Sequence, residues 1–205
     1  MNTINNISGS ERSVEIPFTV EAIKKYFKKS SNVLEIGGIP SNEEVYSPIK
    51  TAIAESESTY NICDFRGGKY RGDFISYDFG IDTFDIIMLI STIEHFPQCT
   101  EGPDRGTYKE GEDIKGYKKA LSLLNEGGLI ILTVPFGKPV WQAYHQNYNM
   151  DLILQMCEGS SIIDSRTYIL DDSTDTWILT NPKDMEEVLY TSKAYGVGCF
   201  ILSKD

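Results

Sequence analysis

Val33-Leu34-Glu35-Ile36-Gly37-Gly38 is the stretch that decides the fold. A short, mostly apolar run reads as a buried strand. Its closure on glycine lets the backbone turn sharply, pass close to a ligand and open a helix whose N–H groups face it. The continuation, Ile39-Pro40-Ser41-Asn42, lacks the later glycines of a GxGxxG dinucleotide fingerprint, which counts against a nicotinamide or flavin enzyme. A tight turn with no ligand is the plainer alternative. Ser41 with Glu44 three residues later forms a capping box for the next helix, and Pro48 predicts that this helix is disturbed and short.

Upstream, Val20, Ile23, Tyr26 and Phe27 share one side at helical spacing, so a helix over 20–29 with Thr19 as N-cap is expected behind a flexible N-terminus of residues 1–12. Downstream, the strand Tyr60–Cys63 ends on Asp64 and a glycine turn at 66–68. Asp73 then follows after too few residues for a normal crossover helix. The apolar run Phe84–Ile90 reads as a central parallel strand covered on both faces, and it leads into Ser91-Thr92-Ile93-Glu94-His95. A polar loop over 98–113 is either a lid or an excursion. Then come a helix over 114–124 stopped by Gly127-Gly128, a strand over 129–134 and an aromatic-rich loop over 135–148. They are followed by a helix from Asn149 through Cys157, a strand over 162–170, a helix opened by Asn181-Pro182 through about Tyr190, and a last strand over 197–202. This alternation predicts one domain over 13–205 built on an open α/β sheet that binds ligands at the carboxyl ends of its strands.

With 205 residues, 40% of them hydrophobic, the chain can bury one core. A net charge of −11 repels phosphate backbones and anionic bilayers, so nucleic acid is not an expected partner. The Lys24, Lys25, Lys28 and Lys29 cluster reads as a solvated helix face. No basic cluster precedes an apolar block, so neither a secretory signal nor a membrane span is expected, and the chain is placed in the cytoplasm. Cys63, Cys99, Cys157 and Cys199 stand singly and suit reduced core thiols.

Asp64, at a strand end, can accept both hydroxyls of a ribose bound over the first turn, and Asp73 in Gly72-Asp73-Phe74 can accept from an exocyclic amine. His95 and His145 are the chain's two histidines and so the candidates for a base of near-neutral pKa. Phe136, Trp141, Tyr144, Tyr148 and Trp177 either stack a sugar ring or pack in the core.

VLEIGG at 33–38, Asp64, GDF at 72–74, FDIIMLISTIEHF at 84–96 and LLNEGGLIILTVPFGKP at 123–139 together resemble the class I S-adenosylmethionine-dependent methyltransferases. The short stretch between Asp64 and Asp73, and the PFGKP stretch followed by residues 144–148, are most similar to members associated with bacterial surface polysaccharides. The resemblance implies a Rossmann-like fold with a seven-stranded, mostly parallel sheet, an antiparallel last strand and helices on both faces. It implies S-adenosylmethionine as methyl donor and S-adenosylhomocysteine as product. By position, Glu35, Gly37 and Gly38 approach the methionine part, Asp64 the ribose and Asp73 the adenine, Phe74 is a further cofactor-binding residue, and Ser91 to His95, with Ser91 and Glu94 as cofactor contacts, line the outer edge. The acceptor is then a small molecule or glycan, with O-methylation of a sugar hydroxyl as the first reading and His95 or His145 as base. Some methyltransferases hold a divalent ion on a Glu-x-x-Glu-His segment. Glu94, His95 and His145 offer ligands for one, but Ser91 at the first position of that pattern disfavours a metal. A catalytically idle member that binds a nucleoside or a partner protein, a small-molecule methyltransferase outside glycan metabolism, and a nicotinamide oxidoreductase on a related fold are the alternatives.

Overall fold

The computed structural model describes residues 10–38, 44–98, 107–142, 145–189 and 194–205. Residues 1–9 of the expected flexible N-terminus, the Ser41 capping position, Cys99, Tyr144, Tyr190 and residues 99–106 of the 98–113 loop lie outside those residues.

The elements run α1 (Arg12–Tyr26), β1 (Asn32–Ile36), α2 (Ser47–Glu55), β2 (Thr59–Asp64), β3 (Tyr70–Arg71), β4 (Phe84–Ile90) and α3 (Glu112–Leu123). They continue with β5 (Leu124–Pro135), β6 (Val140–Gln142), β7 (His145–Asn147), α4 (Met150–Met156), β8 (Ser160–Asp171), β9 (Thr176–Thr180) and β10 (Gly196–Lys204). Single 3-10 turns occupy Ile93–His95 and Pro182–Met185. One sheet has the order β3-β2-β1-β4-β5-β10-β8-β9. Its first five strands are parallel, and the last strand in sequence, β10, runs antiparallel to both β5 and β8. Among the described residues this sheet has eight strands rather than seven. The additional strand is β9, whose Thr176–Thr180 folds back on β8 as the arm of a hairpin and forms the sheet edge.

Pleating divides the core into two layers. On β1, Leu34 and Ile36 face the side covered by α3 and α4, while Val33 faces α1 and α2. β5 alternates likewise, with Ile130, Leu132 and Val134 on the first side and Ile131 on the second. Between β2 and β4 there is no crossover helix, in keeping with the short segment between Asp64 and Asp73. Tyr70, Phe74, Tyr77 and Phe79 pack edge to face and tilted against one another and against Phe84, and this aromatic cluster covers the sheet where a helix would. Lys119 of α3 ties the segment down, its ammonium donating to the Ile75 carbonyl at 2.9 Å and to that of Tyr77 at 2.5 Å.

Several expectations are corrected. The first helix starts near Arg12 rather than residue 20, and Thr19 is no cap but a fully buried residue within it. Pro48 sits in the first turn of α2, where a missing N–H costs no hydrogen bond, so it opens that helix instead of disturbing it. Gly127-Gly128 does not stop α3. The helix ends at Leu123, Leu124 is already extended, and the glycines lie inside β5 where its register against β4 shifts between Phe84 and Ile86. Asn181 caps as expected, accepting from the Lys183 N–H at 3.0 Å, but it opens only one 3-10 turn. Met185 is the single buried residue of that turn, too little apolar face to hold a longer helix. Asn149 caps α4 through the Leu152 N–H at 3.0 Å. Cys63, Cys157 and Cys199 are buried free thiols. Lys25 and Lys29 pair with Asp164 and Glu57. Among the described residues no helix is long and apolar enough to cross a membrane.

Candidate functional site

The order β2-β1-β4 means that the chain leaves β1 toward one side of the sheet and later returns to the other, which opens a crevice beyond the carboxyl ends of these strands. A cavity of about 330 Å³ lies there, walled by Gly37 after β1, Asp64 on β2, Asp73 and Phe74 on the helix-less segment, and Ser91 and His95 after β4. Gly37 holds φ +76°, and a Cβ there would lie 2.6 Å from the Thr92 side chain, so glycine alone fits. The Thr92 hydroxyl stands 3.0 Å from the carbonyls of both Ile36 and Ile90 and holds the two strand ends at a fixed separation.

Asp64 Oδ1 accepts the Arg66 N–H at 2.7 Å. The Asp73 carboxylate accepts the Ile75 N–H at 3.2 Å and the Ser76 hydroxyl at 2.8 Å, which fixes its orientation. Phe74 stacks on Phe96 with centroids 6.0 Å apart, and both rings line the cavity. Phe96 fits because Gly116 of α3 lacks a side chain, since a Cβ there would fall 2.2 Å from the ring.

Glu35 and Gly38 are not among the residues lining this cavity. Glu35 is buried and accepts a hydrogen bond from the Tyr60 phenol, and its side chain occupies the space next to Gly38. Burial, only partly offset by Lys50 and Arg12, pushes its carboxyl up to about 7. That lies above the carboxyl's ordinary 4.5, so the folded state binds the proton more tightly than the unfolded chain does. The stabilisation it confers is complete below about pH 4.5 and is lost as pH rises toward 7. Glu35→Gln is therefore expected to raise the urea midpoint at pH 8 relative to wild type and leave it nearly unchanged at pH 4.5. The difference is on the order of 3 kcal/mol.

A smaller cavity of about 60 Å³ shares Arg12, Ser91 and His95 with the larger one and adds Glu94, His145 and Pro135. His95 and His145 meet edge to face with ring centroids 6.4 Å apart. Glu94 is 2% exposed and belongs to this chamber rather than to the larger cavity. Its Oε1 lies 3.9 Å from His95 Nε2, and its buried Oε2 accepts no hydrogen bond among the described residues. Burial acts in opposite directions on the two residue types. It pushes the Glu94 carboxyl up to about 7, and with His95 as a lesser cause it lowers the His145 imidazole below its ordinary value. Among the described residues no group of three His, Cys, Asp or Glu side chains converges as a metal ligand set, so Glu94, His95 and His145 do not form the one considered from the sequence.

Sequence reasoning missed the supports of this chamber. Glu15 of α1, fully buried, accepts from Arg12 Nη1 at 2.5 Å, from Ser91 Oγ at 2.5 Å and from Thr133 Oγ1 at 2.7 Å. Ser91, at the wall between the two cavities, has φ +42°, an unfavourable conformation for serine. Its N–H donates to both the carbonyl and the hydroxyl of Thr133, each at 3.0 Å. Among the aromatics, Phe136, Tyr148 and Trp177 are core residues, whereas Trp141 on the β6–β7 hairpin packs against half-exposed Tyr108 with centroids 4.9 Å apart.

No protein-family model and no curated protein matches this sequence. Solved structures match its fold. The [4+2]-cyclase SpnF aligns over 98% of this chain and 85% of its own at a TM-score of 0.59 and 10% identity. A methyltransferase-like protein from Bacillus halodurans covers 90% and 97% at 0.53 and 14%. The N-methyltransferase NodS from Bradyrhizobium japonicum, solved with S-adenosylhomocysteine, covers 95% and 88% at 0.53 and 9%. The chain has the Rossmann-like methyltransferase fold.

Proposed function

We propose that this chain is an S-adenosylmethionine-dependent methyltransferase that O-methylates a sugar hydroxyl in the building of a surface polysaccharide. The observation that carries the first part is the crevice at the β1/β4 switch point, a cradle at Gly37 that any Cβ would fill, faced by Asp64 and Asp73 across a cavity of about 330 Å³. That volume is within the range of small-molecule sites, and its donors and walls suit a nucleoside with a charged tail. Asp64 would hold the ribose hydroxyls, Asp73 and the Phe74 and Phe96 rings the adenine, and the Gly37 turn the amino-acid end. The bound sulfonium supplies an activated methyl group, so what remains for the protein is to position the acceptor and take up its proton.

The chamber shared through Arg12, Ser91 and His95 is the acceptor end, since it adjoins the side of the cavity away from Asp64 and Asp73. Sugar as acceptor draws support from the net charge of −11, which suits a neutral glycan better than a polyanion, and from Trp141 on the neighbouring hairpin, whose ring with that of Tyr108 packed against it offers a surface for a sugar ring. The resemblance of the short Asp64–Asp73 stretch, PFGKP at 135–139 and residues 144–148 to polysaccharide-associated methyltransferases points the same way. Calorimetric titration with S-adenosylmethionine, S-adenosylhomocysteine and a reduced nicotinamide tests the donor. Saturable binding of the first two without the third is expected.

A further inference from the structure

Of the groups in the small chamber, one is set apart by its bonding. Glu94 is buried almost completely, its Oε2 lies within the protein with no hydrogen-bond donor among the described residues, and the residue lines the chamber beside His95. A buried carboxylate oxygen left without a donor costs folding energy, and it is tolerated where a ligand supplies the donor. We infer that Glu94 stands opposite the transferred methyl group, binds the acceptor hydroxyl and takes its proton, with the histidines beside it as positioning residues. This rests on the donor reading proposed above.

The groups that face Glu94 are consistent with that role. On its own turn there is His95, from α1 Arg12 and Glu15, from β7 His145, and beyond it the phenols of Tyr46 and Tyr148. Arg12 is already paired to Glu15 at 2.5 Å. Desolvation works against the usual order of basicity, because it raises the Glu94 carboxylate to about 7 and lowers the His145 imidazole below its ordinary value. In the step itself the acceptor O–H proton passes to Glu94 Oε2 and the oxygen forms a bond to the methyl carbon. The S–C bond breaks with its electron pair going to sulfur, and the products are a methyl ether and a neutral thioether. Glu94 then returns its proton to solvent.

A carboxylate opposite the methyl must feel the charge of the sulfonium, which S-adenosylmethionine carries and S-adenosylhomocysteine lacks. Calorimetry at pH 8.5, where Glu94 is ionised, reads this without any acceptor. Glu94→Gln is expected to weaken S-adenosylmethionine about tenfold and S-adenosylhomocysteine less than twofold, and His145→Gln to leave the ratio unchanged. Equal changes for both ligands, or none, would overturn the assignment. If wild type binds neither ligand, the donor reading itself fails, which is a different result. Should Glu94→Gln not fold, a structure of the wild-type protein with S-adenosylmethionine decides. The methyl group pointing into the chamber at Glu94 Oε2, with room for one hydroxyl between them, supports the inference, and a methyl pointing elsewhere refutes it.

Discussion

Replacing Glu15 by alanine is expected to remove about 3–5 kcal/mol of folding free energy, the largest loss anticipated for any single substitution near the site. Glu15 has no exposed surface, and its two oxygens take hydrogen bonds from Arg12, Ser91 and Thr133. Alanine would leave a partly buried guanidinium and two hydroxyls without their acceptor. For a chain of this size such a loss is a large fraction of the total stability. Urea unfolding should show a lower midpoint at an unchanged slope. A loss below 1 kcal/mol would mean that the network is a surface ion pair in effect, and that Ser91 holds its φ of +42° without help.

The second large effect is on binding. Asp64→Ala is expected to weaken S-adenosylmethionine and S-adenosylhomocysteine alike, by about 30- to 100-fold, because two charge-assisted hydrogen bonds to the ribose hydroxyls disappear while the sulfonium end is untouched. The only hydrogen bond described for the Asp64 side chain is to the Arg66 N–H, so the protein itself should lose no more than about 1 kcal/mol. Parallel loss for the two ligands separates this residue from Glu94, whose substitution should act on the charged ligand alone. Unchanged affinity in Asp64→Ala would remove the ribose assignment.

Much of the sheet was legible in the sequence because its central strands are buried on both faces. Phe84–Ile90 is an unbroken apolar run, and its bounds in the structure are those read from the sequence. The crossover lacking a helix was legible from the shortness of the segment between Asp64 and Asp73. The α1 helix was misplaced because Val14, Ile16 and Phe18 recur at spacing two, a strand-like period, around polar Ser13 and Glu15 and helix-disfavouring Pro17. Tertiary packing on the sheet overrides that local pattern, since Val14, Ile16 and Phe18 all reach the core from a helix. The glycine pair at 127 and 128 misled for a related reason. Glycine marks a helix end and a register shift in a strand equally well, and only the pairing with β4 tells which.

The site was legible in part. The sequence order of Gly37, Asp64, Asp73, Ser91 and His95 carried the information that places them around one crevice, since each follows or ends a strand, or lies on the loop between two. The division into two cavities was not legible. Glu94 and His95 are adjacent in sequence, yet the 3-10 turn at Ile93–His95 buries the first in the small chamber and leaves the second half exposed at the boundary of both. Nor could Glu15 be found, because a single acid on a helix has no pattern that distinguishes a solvated side chain from a buried one paired to strand ends 76 and 118 residues away.

The most direct test of the account is calorimetric titration of the wild-type chain with S-adenosylmethionine. One saturable site per chain is the predicted result, with S-adenosylhomocysteine competing for it and a reduced nicotinamide producing no heat. The absence of binding at millimolar S-adenosylmethionine would contradict the account.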